Sequence, residues 1–279
     1  MEIFRDITSL RNRIKKDKLE GKKIGFVPTM GYLHEGHLSL VQQSKKKADI
    51  TVVSIYVNPI QFGPNEDLDK YPRDIERDEK LLQDLEVDYL FYPDDSIMYP
   101  EGFQTYVEVV NLTDLLCGKS RPGHFRGVTT VVAKLFNIVL PDIAFFGQKD
   151  YQQALVIKRM VNDLNFPLEI EVCPIVREHD GLAMSSRNAY LSEEERKIAP
   201  NFYKTLQIGM EKARESGNLM EIKSWIIGEL EGLAGVKVDY IEFVDANTLE
   251  KLDKYRKPIL LAGAIFLGKT RLIDNILEK

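Results

Sequence analysis

The chain has 279 residues, 44% of them hydrophobic, and a formal net charge of −5 at pH 7. That length exceeds the usual single-domain size and buries a sizeable core, so one large domain with a smaller companion is expected. The acidic balance argues against nucleic acid as a partner, and the lack of a signal-peptide core or an apolar run of about 18 residues points to a cytoplasmic protein with no membrane partner.

Within residues 3–19, Ile3, Ile7, Leu10 and Ile14 recur at intervals of three or four with basic residues between them, which predicts an amphipathic helix stopped by Gly21. Residues 23–27 are a short apolar run ending at Pro28, residues 36–48 read as a helix, and residues 50–57 are an apolar run rich in β-branched side chains. Strand, helix, strand in that order is the pattern of a parallel βαβ unit. The alternation continues with a helix at 74–85, a strand at 89–92, a helix at 128–139, a strand at 143–146 and a helix at 151–164. The expected fold class is α/β, a Rossmann-like doubly wound parallel sheet with helices on both faces. After about Glu178 two charged helical stretches, 193–215 and 219–233, precede strands at 236–244 and 259–266, and Ser192 with Glu195 forms a capping box for the first. The reading is therefore a first domain of 1–178 and a smaller C-terminal α+β domain of 179–279. Lys45, Lys46 and Lys47 read as a solvated helix end.

The first strand-to-helix turn is Pro28-Thr29-Met30-Gly31-Tyr32-Leu33-His34-Glu35-Gly36-His37, and in an open α/β sheet such turns bind ligands. Gly31 can supply a positive φ, Gly36 removes a side chain where another group comes close, and the N–H groups opening the helix favour phosphate. His34 and His37 share a helical face, so both imidazoles can reach one polyphosphate. Glycine-containing turns are common in α/β proteins, and this turn alone leaves a purely structural role open. The other histidines, His124 and His179, also fall in or beside marked segments. The spacing is not the H-E-x-x-H of a zinc site.

Three further segments carry compatible chemistry. Asn58 and Gln61, in the loop leaving the second strand, both donate and accept, which suits a small hydroxy acid as well as a capped loop. At a later strand end, Gly147-Gln148-Lys149-Asp150 sets a lysine beside a helix N-terminus, a place that favours phosphate or carboxylate. Met184-Ser185-Ser186-Arg187 offers two hydroxyls and a guanidinium suited to a transferring phosphoryl group. Each segment alone reads first as loop or capping chemistry; their recurrence at strand ends is what points to a nucleotide site.

The H-x-G-H turn and the late Met-Ser-Ser-Arg loop resemble the two signatures of the nucleotidylyltransferase superfamily. The longer strings PTMGYLHEGH, VNPIQFGPNEDLDKYPRD, RPGHFRGV, FFGQKDYQQ and DGLAMSSRN resemble the pantothenate synthetase family and spread over residues 28–188. The resemblance implies ligation of pantoate to β-alanine, with ATP consumed to AMP and pyrophosphate through a pantoyl-adenylate. It implies an ATP site at residues 30–37, at Gly147, Gln148, Lys149 and Asp150, at Val176, and at Met184, Ser185, Ser186 and Arg187. Pantoate falls to Gln61 and Gln153 with Asn58 nearby, His37 is the proton donor, and an Mg²⁺-associated acid falls on Asp78. A homodimer is implied as well.

Such chemistry explains the residue types. A carboxylate attacking the α-phosphorus brings two anions together, and His37, His34, Lys149, Arg187 and Mg²⁺ are expected to answer that charge by position and preorganised electrostatics. No covalent intermediate is required of Cys117 or Cys173, whose spacing supplies no disulfide framework and points to a reducing compartment. The adenylate must be shielded from water, for which the C-terminal domain is the expected lid. A cytidylyl- or adenylyltransferase would share the histidine turn but retain the nucleotide in its product. A class I tRNA synthetase is disfavoured because only about 90 residues remain after residue 188 and the chain is acidic, and a non-enzymatic nucleotide sensor would bind ATP without needing His37.

Overall fold

The computed structural model describes residues 1–64 and 66–279. In chain order, β1 (Glu2–Phe4), α1 (Ile7–Leu19), β2 (Ile24–Thr29), α2 (Glu35–Lys47) and β3 (Ile50–Ile55) come first. Next are α3 (Ile75–Asp84), β4 (Tyr89–Phe91), α4 (Asp95–Met98), α5 (Leu116–Ser120), α6 (His124–Val139), β5 (Ile143–Gly147), α7 (Tyr151–Asp163) and β6 (Glu169–Cys173). The chain finishes with α8 (Glu193–Ile198), α9 (Pro200–Ser216), α10 (Leu219–Glu231), β7 (Val236–Asp245), β8 (Ile259–Leu267) and β9 (Thr270–Glu278). Two compact units result. The first holds Met1–Val110, Arg121–Gln148 and Gln153–Pro174, and the second holds Asn111–Ser120, Lys149–Gln152 and Ile175–Lys279.

The sheet of the first unit runs β1-β4-β3-β2-β5-β6 with every pairing parallel. All six residues of β3 are buried, as a central parallel strand covered on both faces requires. From β2 the chain steps outward through β3 to β4 and then returns past β2 to lay down β5, so the order of travel reverses between β2 and β5. Their registered pairing covers only Gly25 with Ile143 and Phe26 with Ala144. Beyond those residues the carboxyl ends of the two strands part, which is the crevice where open α/β sheets take ligands.

The second unit carries the antiparallel sheet β7-β8-β9. Phe202, Leu206 and Met210 of α9 and Ile226 and Leu230 of α10 pack with Ile241, Phe243 and Leu261 in one buried cluster. Each such side chain contributes about 1.5–3 kcal/mol relative to leaving it in water. Ser192 and Glu195 form the expected capping box of α8.

Several elements differ from the sequence reading. Ile3 belongs to β1, paired with Leu90, and the helix begins only after Asp6, whose side chain accepts the Ser9 N–H as N-cap. The stretch 193–215 divides into α8 and α9 at Pro200, which has no N–H to continue the first ladder. β6 and β9 are additional strands. β6 carries Glu169 and Glu171 among its five residues, and in β9 the apolar alternation breaks at Asp274 and Asn275, both buried.

Candidate active site

The turn between β2 and α2 is held by its own backbone chemistry. Gly31 has φ +80° and Tyr32 φ +50°, a left-handed pair that reverses the chain and turns two successive N–H groups the same way. Those N–H groups, of Tyr32 and Leu33, donate to Asp78 Oδ2 at 2.6 Å and Oδ1 at 2.7 Å. A Cβ on Gly31 would lie 2.9 Å from Ile55 Cγ2 and 3.1 Å from Asp78 Oδ2, so glycine serves both the φ and the close approach.

His34 is the N-cap of α2 and its Nδ1 accepts the Gly36 N–H at 3.1 Å, while His37 Nδ1 accepts the His34 N–H at 3.3 Å. The two rings lie with centroids 4.1 Å apart. In each ring Nδ1 is the acceptor, so the proton sits on Nε2, the atom directed away from the cap. The helix start therefore presents imidazole N–H donors beside its positive dipole end, an arrangement suited to a polyphosphate.

Asp78 does not fit the part of an Mg²⁺ ligand. Its side chain is 1% exposed and each of its oxygens accepts a backbone N–H group. Burial pushes the Asp78 carboxyl up, and the Leu33 and Tyr32 N–H groups and Arg77 pull it back. Its evident work is to clamp the turn.

Gln61 follows β3 in a short 3₁₀ turn, Pro59–Gln61. Its Oε1 accepts from Asn58 Nδ2 at 3.1 Å and its Nε2 donates to Met30 Sδ at 3.0 Å. Asn58 is 1% exposed; it also donates to Gly127 O and accepts the Tyr99 hydroxyl at 2.7 Å. Asn58 thus orients Gln61 from behind. His124 Nδ1 donates to Gln61 O at 2.9 Å, because a carbonyl can only accept, and its Nε2 then accepts from Arg121 Nη1 at 3.0 Å. Arg121 is fixed in turn by Glu66. Gln153 lies on the first turn of α7, partly exposed, just beyond the end of β5.

Gly147 ends β5 with open space around its α-carbon, and Gln148–Asp150 forms a 3₁₀ turn. In the second unit, Lys149 Nζ donates to Met184 O at 3.1 Å, and the Met184 N–H returns to Val176 O at 3.0 Å. Ser185 caps the 3₁₀ turn Ser186–Tyr190 and accepts the Arg187 N–H at 3.3 Å. Burial lowers the Lys149 ammonium from its ordinary range; the charge of Arg187 acts in the same direction, while Asp150 and Asp274 oppose it. An anion arriving between two such cations relieves both penalties. Of the residues marked in the sequence, residues 30–37, Gly147 and Gln148 belong to the first unit, and Lys149, Asp150, Val176 and residues 184–187 to the second.

The family model described as Pantoate-beta-alanine ligase matches residues 2–277. The chain belongs to the pantoate-beta-alanine ligase family. It is 57% identical to the pantothenate synthetase of Caldicellulosiruptor bescii over 277 residues, 99% of this chain and 98% of that one. Among solved structures it is similar to the pantothenate synthetase of Thermus thermophilus, with a TM-score of 0.94 and 46% identity over 99% of both chains. It is also similar to the pantoate-beta-alanine ligase of Francisella tularensis complexed with beta-gamma ATP and beta-alanine, with a TM-score of 0.82 and 38% identity over 99% of this chain and 97% of that one. The chain is therefore an enzyme of the ligase family, and the cytidylyl- or adenylyltransferase, tRNA synthetase and sensor readings are set aside.

Sequence reasoning names Asn58 but does not find the other groups behind Gln61. RPGHFRGV stands out only as a resemblance, and nothing local to it shows that His124 meets a carbonyl 63 positions earlier. Gly127 is the sharpest case: a Cβ there would lie 2.5 Å from Ile60 O and 2.6 Å from Gln61 Cα. Gly127→Ala is expected to push the Gln61 turn outward, raising the pantoate KM severalfold at little change in ATP KM, with a stability loss of about 1–3 kcal/mol from overpacking. Steady-state kinetics in each substrate, alongside thermal unfolding, check this.

Proposed function

We propose that this ligase joins pantoate to β-alanine in two steps on residues of this chain. In the first, a pantoate carboxylate oxygen attacks the α-phosphorus of ATP; the O–P bond of pantoyl-adenylate forms and the bond to pyrophosphate breaks. In the second, the β-alanine amine attacks the acyl carbon; the amide C–N bond forms, the C–O bond to AMP breaks, and the amine gives up a proton.

The observation that carries this reading is the paired-imidazole cap of α2, in a chain that matches its family along nearly its whole length. His37 and His34 direct Nε2–H groups at the phosphates, His37 being the proton donor. Met30, Gly31, Tyr32, Leu33, Glu35 and Gly36 complete that segment of the ATP site. Lys149 and Arg187 meet charge building on the phosphoryl oxygens and on pyrophosphate, with Gly147, Gln148, Asp150, Val176, Met184, Ser185 and Ser186 seating the nucleotide. Gln61 and Gln153 bind pantoate, and Asn58 holds Gln61. Mg²⁺, arriving with ATP, would supply neutralisation of phosphate charge, and an ion that prefers few protein ligands would need no dedicated cluster of side chains on this chain.

Two further properties belong to the proposal. The free Cys117 and Cys173 support a cytoplasmic setting, and no helix among the described residues is long and apolar enough to cross a membrane. A homodimer is supported by family resemblance, and sedimentation equilibrium at twice the chain mass is the expected result.

The deciding experiment incubates the protein with ATP, Mg²⁺ and D-pantoate, with and without β-alanine, following pyrophosphate, AMP and pantothenate together. Equal amounts of AMP and pantothenate with all substrates, and enzyme-bound adenylate without β-alanine, are expected. Pyrophosphate release only with some other acceptor would remove pantoate from the reading.

A further inference from the structure

Two buried polar residues of β9 have no part in the chemistry above. Asp274 and Asn275 are each 3% exposed, in a strand whose neighbours Leu272 and Ile273 are apolar. Burying a carboxylate and an amide in a sheet costs stability unless each is fully bonded, so their partners identify what they hold.

Asp274 takes Arg177 in a two-pronged pair, Oδ2 to Nη1 at 2.6 Å and Oδ1 to Nη2 at 2.9 Å. The guanidinium also donates to Gly181 O at 3.1 Å and lies 3.3 Å over the Tyr203 ring. It is thereby fixed on every side. Arg177 follows Val176 directly and bridges Ala183, which precedes Met184. Asn275, whose side chain leaves the opposite face of the strand, donates from Nδ2 to Lys149 O at 3.0 Å. Lys149 Nζ in turn reaches Met184 O, and the Met184 N–H reaches Val176 O. Three segments, at 149, 176–177 and 183–184, are thus tied to one dipeptide of β9 about a hundred residues further on, all within the second unit.

We propose that Asp274 and Asn275 are positioning residues for the nucleotide: they hold the backbone of Lys149, Val176 and Met184 in one register, so that the ammonium and the Ser-Ser-Arg loop are in place before ATP arrives. The inference rests on the assignment of those three residues to ATP. Neither Asp274 nor Asn275 touches a reacting atom, so they act on nucleotide affinity and leave pantoate affinity untouched.

The test uses the full chain. Asn275→Ala removes one donor without leaving a buried charge, and Asp274→Asn keeps the shape while removing the charge opposite Arg177. Kd for a non-hydrolysable ATP analogue and KM for ATP are measured together with KM for pantoate, kcat and thermal midpoint. About a tenfold loss of nucleotide affinity is expected for Asn275→Ala, with pantoate KM within about twofold, and a larger loss for Asp274→Asn. Unchanged nucleotide affinity in both variants overturns the inference. So does a fall in thermal midpoint that carries both KM values up together, because that is what a merely structural residue does. If the unmodified protein fails to bind the analogue, the ATP assignment itself falls, an outcome separate from either of these.

Discussion

Replacing His37 by alanine is expected to lower turnover by about 10²–10³, the usual effect of removing one preorganised donor from a developing oxyanion. The variant loses the outward Nε2–H and also the Nδ1 that accepts the His34 N–H, so part of its deficit is a loosened cap, worth about 1 kcal/mol of stability. His37→Gln separates the two. A glutamine at the third helical position can still accept the N-cap N–H, as in an ordinary capping box, but does not present an imidazole to the phosphates. Thermal stability near that of the unmodified protein with turnover still depressed is the expected result for glutamine. Near-normal turnover of the alanine variant would end the catalytic assignment of His37.

The second large effect is expected at Asp78. Alanine there strands the N–H groups of Tyr32 and Leu33, and Leu33 is 1% exposed. Two bonds to a charged acceptor, at about 1.5–3 kcal/mol each, predict a loss of about 3–6 kcal/mol, together with a large rise in ATP KM as the turn relaxes. The measurement that discriminates is thermal unfolding in chelator with no nucleotide present. A turn clamp destabilises the protein under those conditions, whereas loss of a metal ligand leaves the metal-free protein unaltered and shows only as a higher Mg²⁺ requirement. Asp78→Asn, which keeps one acceptor oxygen, is expected to fall between the alanine variant and the unmodified chain.

What can be read from the sequence is local. The β2–α2 turn announces itself through Gly31 and the His34/His37 pair because the φ requirement and the cap are satisfied within a few residues. The parallel sheet is legible for the same reason: β3 is an uninterrupted apolar run because it is buried on both faces. The supporting groups are not. Asp78 is marked only through the family resemblance, and there as an acid associated with Mg²⁺, yet its partners are backbone N–H groups 45 and 46 positions earlier. β9 hides because Asp274 and Asn275 replace the apolar side chains that strand alternation predicts, and their reason for being there lies at residues 149 and 177. Ile3 reads as helical because its spacing to Ile7 fits a helix; only pairing with Leu90 moves it to a strand.

The second unit is assembled from Asn111–Ser120, Lys149–Gln152 and Ile175–Lys279, and this bears on gene engineering. A cassette cut at residue 175 for grafting onto another synthetase would leave behind the lysine that Asn275 grips, the tyrosine whose hydroxyl donates to Ala246 O and the glutamine that holds the Leu112 and Leu115 carbonyls. Exchange of nucleotide-handling parts between relatives should therefore proceed as matched sets of short inserts from all three stretches, and chimeras made by a single crossover are expected to fold with the donor's sheet but without its grip on the phosphates.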